Sequence, residues 1–557
     1  MRSLKPCTVR RNKNKYKHLF QLQQTLLLFL QIAMLPLINA QTPPSIDTVS
    51  MSGGGFLSTN GGGDIVDIVG TNFGPTCSNG CVFATYGGAS GTKYSVSCNV
   101  VTANTNLECN TAAGVGANLK WIVTVGALAS GTKTTSVSYA APTLTGISGS
   151  NSPTAGGTEM TLTGTNFGPP KSSAQSEASA TYGPSGNVNL FNAGNCRVDS
   201  QTQMTCTTVA GKGNELRWSI TVGGQSAGPL TSVLTRYAAP GINSATGSIV
   251  VSADGPTMST SGSSKVIIFG TNFGLACTDC VTATYGGSLG TDYPTSGTIL
   301  CDVTTDHTKL LCDTVAGVGV SMRWKVTVSS QTSPLSSRSV SYNVPTLTAL
   351  SGPASDSATT THGSVSITLT GTNFGPTSHT DFVVKYGPPT NVDKYTASPC
   401  TVDLQTKITC ATIAGVGTGL KWRVTIGGQN SQVSTDSTSY SDPTISGLSG
   451  TAAVSPSTTG GNVAINIDGD FFGPTGTSQT LIQVHYGTTL LPEKYSGIDC
   501  SVVNQNRITC RTQPGVGTGL MWRVTVASQV SSPSSSTTSY AVPTITQLGG
   551  AAASASG

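Results

Sequence analysis

Fifteen cysteines, five histidines and a series of Gly-rich turns are the residues of this 557-residue chain whose types and spacing could do chemistry. Cys277-Thr-Asp-Cys280 has the spacing of a thioredoxin-like dithiol, and Cys77-Ser-Asn-Gly-Cys81 occupies the same place in an earlier repeat. A redox dithiol wants a strand leading into a helix. Both pairs follow a Phe-Gly turn instead, and they come and go together between repeats, so they read as loop staples. Neither has the further His or Cys ligands that zinc needs. Gly286-Gly287-Ser288-Leu289-Gly290 fits the nucleophile-elbow pattern, but no helix-periodic segment follows it and it reads as a turn. The Gly-x-Gly runs beginning at Gly114, Gly211, Gly317, Gly415 and Gly515 open a strand, whereas a phosphate-cradling loop opens a helix. Asp468 and Asp470 have the charge for calcium but lack further ligands nearby. His18, His307, His362, His379 and His485 share no repeat position and form no metal-spaced pair, so they read as surface or loop residues. No catalytic residue, cofactor or metal site is expected.

The elements that hold these residues must be short strands. Only 10% of the chain is charged and 6% aromatic, with 67 Gly and 28 Pro, a composition of turns and β-branched residues rather than long helices. The net charge of +5 is concentrated at the start, because Arg2, Lys5, Arg10, Arg11, Lys13, Lys15 and Lys17 precede any acid. Without those seven the remainder is slightly acidic and has no basic block, a poor footprint for nucleic acid. The basic stretch leads into the apolar run Thr25 to Leu35 and a polar exit at Asn39-Ala40-Gln41. Residues 1–40 therefore read as a secretory signal peptide, too short in its apolar core for a membrane span of about 20 residues, with an uncleaved anchor as the rival reading.

The remaining 14 cysteines support export. Cys98 and Cys109, Cys196 and Cys206, Cys301 and Cys312, Cys400 and Cys410, and Cys500 and Cys510 form five pairs ten or eleven residues apart, spaced as hairpin disulfides, and Cys77–Cys81 and Cys277–Cys280 complete the set. Residues opposed in a non-hydrogen-bonded antiparallel pair have Cα atoms near 4.5 Å, within disulfide reach. Each such small loop is worth about 2.5 to 3 kcal/mol in the chain-entropy model.

A Gly-Thr-Asn-Phe-Gly signature recurs with its aromatic at Phe73, Phe167, Phe273 and Phe374, and a variant Gly469-Asp470-Phe471-Phe472-Gly473 places Phe472 there. All five tryptophans, Trp121, Trp218, Trp324, Trp422 and Trp522, follow 48 to 51 residues later. A Tyr-x-x-Pro closes each unit, at Tyr139, Tyr237, Tyr342, Tyr440 and Tyr540. Apolar residues alternate along the Trp segment (Leu420, Trp422, Val424, Ile426) and before the Phe signature (Ile367, Leu369), as in strands with one dry face. The Phe and Trp residues are the expected core, and the signature itself reads as a turn whose glycines and Asn take backbone angles closed to other residues.

Together the Gly-Thr-Asn-Phe-Gly loop, the opening Pro-Thr-aliphatic strand at Pro142, Pro345, Pro443 and Pro543, and the Tyr-Gly at Tyr86, Tyr182, Tyr285, Tyr386 and Tyr486 resemble the IPT/TIG family. That family has an immunoglobulin-like fold and occurs in plexins, growth-factor receptors, fibrocystin-like surface proteins and some transcription factors. The resemblance implies an all-β tandem array of five immunoglobulin-like (E-set) β-sandwiches. Residues 41–142, 143–240, 241–345, 346–443 and 444–543 are the five repeats, and 544–557 starts a truncated sixth. With no linker between units, neighbours are expected to orient one another and the array to behave as a semi-rigid rod. The expected function is non-enzymatic binding or adhesion outside the cell or on the outer face of the plasma membrane, toward a protein or glycan ligand. Nucleic acid is excluded as a partner, and membrane attachment falls to a missing C-terminal segment. The alternative is a set of carbohydrate-binding or spacer modules of a larger secreted enzyme or receptor. The chain has no Asn-x-Ser/Thr sequon and no Arg-Gly-Asp tripeptide.

Overall fold

In the computed structural model, residues 42–149, 151–252, 256–547 and 549 are described. The signal-peptide segment 1–40 and most of 544–557 lie outside them. The described residues divide into two compact units. One holds the chain up to Asn151 with Gly156–Val209 and Glu215–Thr235, and the other holds Ser152–Ala155, Ala210–Asn214 and everything from Arg236 onward.

Within the first unit, Thr143–Ser148, Glu159–Thr165, Gln203–Thr207 and Gly194–Ser200 form one antiparallel sheet, and Phe191–Asn192, Ala178–Gly183, Arg217–Val222 and Gln225–Ala227 form another. The second unit repeats the arrangement. Thr346–Ser351, Ser366–Thr372, Lys407–Ala411 and Cys400–Leu404 make one sheet, while Tyr395–Thr396, Phe382–Gly387, Lys421–Ile426 and Gln429–Asn430 make its partner. The strand leading to the Phe signature and the Trp strand thus lie in different sheets. Their alternating side chains, Ile367 and Leu369 from one and Trp422, Val424 and Ile426 from the other, meet in a single buried cluster. The chain is a nearly all-β array of such sandwiches.

In the first and third copies the two sheets are continuous. There the strand before Tyr-Gly is longer, Cys77–Tyr86 and Cys277–Gly286, and reaches across to Tyr94–Thr102 and Ile299–Thr305. The extra cysteines sit on that extension, where the register shifts between Cys77 and Val82 and between Cys277 and Val281. Two one-turn helices, Pro353–Asp356 and Thr451–Val454, follow the first strand of the last two copies. Among the described residues no strand is formed at 543–547, where Ile545 is exposed.

The Phe signature corrects one expectation. Asn72 (φ 63°) and Gly74 (φ 92°) take the left-handed region, but the first Gly of the motif does not. Gly70 is fixed by space: a Cβ there would lie 1.9 Å from the Ser45 carbonyl oxygen and 2.6 Å from the Phe73 ring, which folds back over it. The Asn side chain has a second task. Asn72, Asn166, Asn272 and Asn373 donate to the carbonyls of Pro43, Ala141, Ala239 and Val344, each just before the Pro that opens the unit. In the last copy Phe471 takes the left-handed angle (φ 66°) with no amide to donate.

The tryptophans are fully buried, and their indole N–H groups separate the copies. Trp422 and Trp522 donate to Thr438 and Thr538 at 3.0 Å, and Trp218 to Thr235 at 2.8 Å. Trp121 and Trp324 have no acceptor, because Val137 and Val340 stand at the matching place on the closing strand. Thr438→Val is therefore expected to orphan a buried donor and lower stability by about 1 to 3 kcal/mol, read as a shift of the denaturant midpoint followed by Trp fluorescence. An unchanged midpoint would show that the indole bond contributes nothing.

Candidate functional site

Each hairpin cysteine pair is bonded in the structure. The Cα atoms of Cys98–Cys109, Cys196–Cys206, Cys301–Cys312, Cys400–Cys410 and Cys500–Cys510 are 4.1 to 4.2 Å apart, across the strands that flank a short turn. Cys77–Cys81 and Cys277–Cys280 are bonded at 6.4 and 5.9 Å on the strand extensions, with no helix beginning there. Phe73, Phe167, Phe273, Phe374 and Phe472 are buried with the five tryptophans. The Gly286–Gly290 segment is a turn tied by Asp292, whose carboxylate accepts from Gly287 N at 2.6 Å. Asp468 and Asp470 are committed to protein partners: Asp468 accepts from Arg507 at 2.6 Å and Ser449 at 2.5 Å, and Asp470 from Asn506. Among the described residues no cluster of His, Cys, Asp or Glu is arranged to hold a metal ion.

The functional geometry gathers at one end of each sandwich, where the Gly-x-Gly segment enters the Trp strand. Tyr386 lies flat on Trp422 at 4.2 Å, and its hydroxyl meets that of Tyr440 at 2.8 Å. The pair clamps Ile413, whose N–H donates to Tyr386 and whose carbonyl accepts from Tyr440. Tyr86 with Tyr139 holds Ala112 in the same way, Tyr285 with Tyr342 holds Val315, and Tyr486 with Tyr540 holds Gln513. Gly415 must be glycine here, because a Cβ would come within 2.7 Å of the Tyr440 hydroxyl.

The residue between the two glycines then faces the next copy. Val115 is 9% exposed and lies against Phe167 and Gly168. Val318 and Val416 are buried in the cores of the fourth and fifth copies. Around each Val two glutamines of the following copy bind the preceding one. Gln201 accepts from the Thr59 hydroxyl at 2.7 Å and donates to the Thr59 carbonyl at 2.6 Å, and Gln405 does the same to Thr260 at 2.8 and 3.0 Å. Gln505 pairs with Thr361 likewise. The second set, Gln225, Gln331, Gln429 and Gln529, donates to the carbonyls of Tyr139, Tyr237, Tyr342 and Tyr440.

One junction differs. His307 stands in the turn position of the first glutamine and meets the Thr154 hydroxyl at 2.8 Å, so this histidine is a junction residue rather than a solvated loop residue. Lys212 replaces the Val, with its stem on Gly274 and its ammonium donating to the Cys280 carbonyl at 3.3 Å, and burial lowers its pKa. The second glutamines recur seven residues after each Trp except Trp121, a period present in the sequence but masked by the more conspicuous Gly, Phe and Trp markers.

The IPT/TIG domain family matches residues 142–237. Residues 142–237 are an IPT/TIG domain. The Phe signature, hairpin disulfide, Trp strand and Tyr-x-x-Pro of that IPT/TIG domain recur in the other four copies. No curated protein matches the chain in sequence. Among solved structures, the plexin A4 extracellular region is similar at 13% identity, covering 85% of this chain and 48% of that one, with a TM-score of 0.18. This chain thus spans about half the length of that ectodomain. Invasin, a bacterial integrin-binding protein, is similar at 15% identity over 71% of this chain and 79% of that one, with a TM-score of 0.18. The Escherichia coli adhesin FdeC is similar at 13% identity over 55% of this chain and all of that one, with a TM-score of 0.17.

The buried phenols make a pH prediction. Burial first, opposed by the Tyr342 hydrogen bond, pushes Tyr285 up to about 12, and burial with the neighbouring tyrosine raises Tyr139, Tyr342 and Tyr440 further. A folded pKa above the unfolded value of about 10 means that stability is fully present below pH 10 and is lost as pH rises through and beyond 12. Absorbance at 295 nm is expected to show these phenolates appearing only together with unfolding. Ionisation of every tyrosine near pH 10 with Trp fluorescence unchanged would contradict the clamp.

Proposed function

We propose that this chain is an exported, non-enzymatic binding or adhesion array, acting outside the cell or at its surface on a protein or glycan. The observation that carries this reading is a division of labour among side chains. The cysteines, tryptophans, paired tyrosines and acidic residues that could do chemistry are bonded or packed within the repeats, while the residues that vary between copies stand on the turns. The turn after Tyr-Gly is the clearest case: it exposes Leu190 by 49%, Leu289 by 68%, and Leu490 and Leu491 by 88% and 59%, while Lys93, Lys394 and Lys494 stand where the second copy has Leu190. Turns that change on a constant scaffold are where recognition is usually carried. Seven disulfides support an oxidising compartment. No helix among the described residues is long and apolar enough to cross a membrane.

The test is binding of the exported chain to cell surfaces and to an immobilised glycan panel. Saturable binding without substrate turnover is expected. A Leu490→Ser/Leu491→Ser variant should bind at least ~tenfold more weakly with its Trp-monitored melt unchanged, the behaviour of a contact residue outside the core. Absence of saturable binding on every surface, or conversion of a bound glycan or protein, would overturn the reading.

A further inference from the structure

Cys277–Cys280 differs from the other disulfides in what surrounds its sulfurs. Each of the five hairpin disulfides has at least one cysteine no more than 2% exposed and locked in a core. Cys277 and Cys280 are both half-buried, and Thr278 and Asp279 between them are exposed. A thiolate from solution therefore reaches this bond without the sandwich opening. Nor does a core need the bond, since the second, fourth and fifth copies bury their Phe and Trp with no cysteine at this place.

The two sulfurs are unequal. Lys212, in the same compact unit, brings its ammonium to 4.0 Å from Cys277 Sγ while donating to the Cys280 carbonyl at 3.3 Å. The Leu275 carbonyl oxygen lies 3.1 Å from the same Cys277 Sγ, whereas Cys280 Sγ has no polar partner among the described contacts. The acids nearby have partners of their own. Asp302 accepts from Asp279 N at 2.9 Å, Asp306 accepts from Ala276 N at 2.7 Å, and Asp313 pairs with Lys265 at 2.6 Å. Cys77–Cys81, on the matching strand extension, is as open to solvent but has no cation on either sulfur among the described contacts. A helix N-terminus or a neighbouring cation is what stabilises the thiolate of a reactive cysteine. No helix begins at Cys277, and a lysine of the preceding copy supplies the charge instead. Freed as a thiolate, Cys277 faces the Lys212 ammonium; freed as a thiol, it can donate to the Leu275 carbonyl.

We propose that Cys277–Cys280 is a thiol–disulfide exchange site that takes a low-molecular-weight monothiol onto Cys280, with Cys277 as the leaving group held by Lys212. The incoming thiolate forms a bond to Cys280 Sγ, the Cys277–Cys280 bond breaks, and its electron pair leaves on Cys277. A second thiolate then attacks the mixed disulfide at the sulfur of the first monothiol, and Cys280 departs and takes a proton. Two monothiols are oxidised to their disulfide and the protein cystine is reduced by two electrons. The exchange is stoichiometric and independent of the binding role proposed above.

The exported chain is treated with 2-mercaptoethanol, quenched at intervals with iodoacetamide and mapped by peptide mass spectrometry. The early product is expected to carry mercaptoethanol on Cys280 and carbamidomethyl on Cys277, with the five hairpin disulfides intact. Attraction of the probe thiolate to Lys212 would instead place it on Cys277. K212M keeps an unbranched stem over Gly274 without the charge, and is expected to slow the exchange by roughly threefold or more, as a leaving thiol about one pKa unit higher would. The opening of Cys77–Cys81 in the same sample should not change, and K212R should recover most of the rate. Mercaptoethanol on Cys277 in place of Cys280, or hairpin disulfides opening before Cys277–Cys280, would overturn the proposal in the unsubstituted chain. Exchange in K212M at the unsubstituted rate would overturn the role of Lys212.

Discussion

The register between the Tyr-Gly strand and the Trp strand is the constraint from which the rest of each repeat follows. Tyr86 opposes Trp121, Tyr182 opposes Trp218, Tyr285 opposes Trp324, Tyr386 opposes Trp422 and Tyr486 opposes Trp522. In every case the rings stack at 4.0 to 4.4 Å. A slip of one residue would send all the alternate side chains to the wet face. With the stack in place, the Tyr hydroxyl falls under the segment that leaves the second cysteine strand. In four copies, among the contacts described, the Tyr of Tyr-x-x-Pro closes a clamp on one peptide unit. The clamp shapes the Gly-x-Gly turn, and that turn presents the Val or Lys on which the next copy sits.

Much of this was legible in the sequence because it uses residues with few alternatives. Trp at a fixed distance from Phe, alternation along Leu420–Ile426, and cysteines flanking a short turn each allow one arrangement in a two-layer fold. The harder part concerned residues whose role depends on what lies across a junction. Gln405 and Gln429 look like ordinary polar turn residues until the preceding copy supplies Thr260 and the Tyr342 carbonyl as partners. His307 looked solvated for the same reason. Gly70 was legible as obligatory but for the wrong cause, since its angle is ordinary and the space above it is taken by Phe73. The continuous sheets of the first and third copies had a visible marker in their extra cysteines, but a disulfide spacing does not say that a strand extends through it.

The junctions also show how one module can be both self-sufficient and extendable. The hydrophobic element is a single side chain, buried in the neighbour's core at Val318 and Val416. Specificity comes from amide groups that accept and donate at once, so a mismatch leaves a buried polar group unpaired, which is costly. Lys212 shows the tolerance of the design. Its stem does the packing of the Val, and its ammonium finds the carbonyl beside the extra disulfide of the third copy. Because docking consumes the ends, the turns along the sides stay free to vary.

Each repeat is closed on itself, with its cysteines bonded inside it and no thiol among them left to react or to bridge. Mass-spectrometric mapping of peptides from the exported, unreduced protein tests that most directly. Seven disulfides are expected, Cys77–Cys81, Cys98–Cys109, Cys196–Cys206, Cys277–Cys280, Cys301–Cys312, Cys400–Cys410 and Cys500–Cys510. Free thiols at the hairpin positions, or bonds joining one repeat to another, would contradict it.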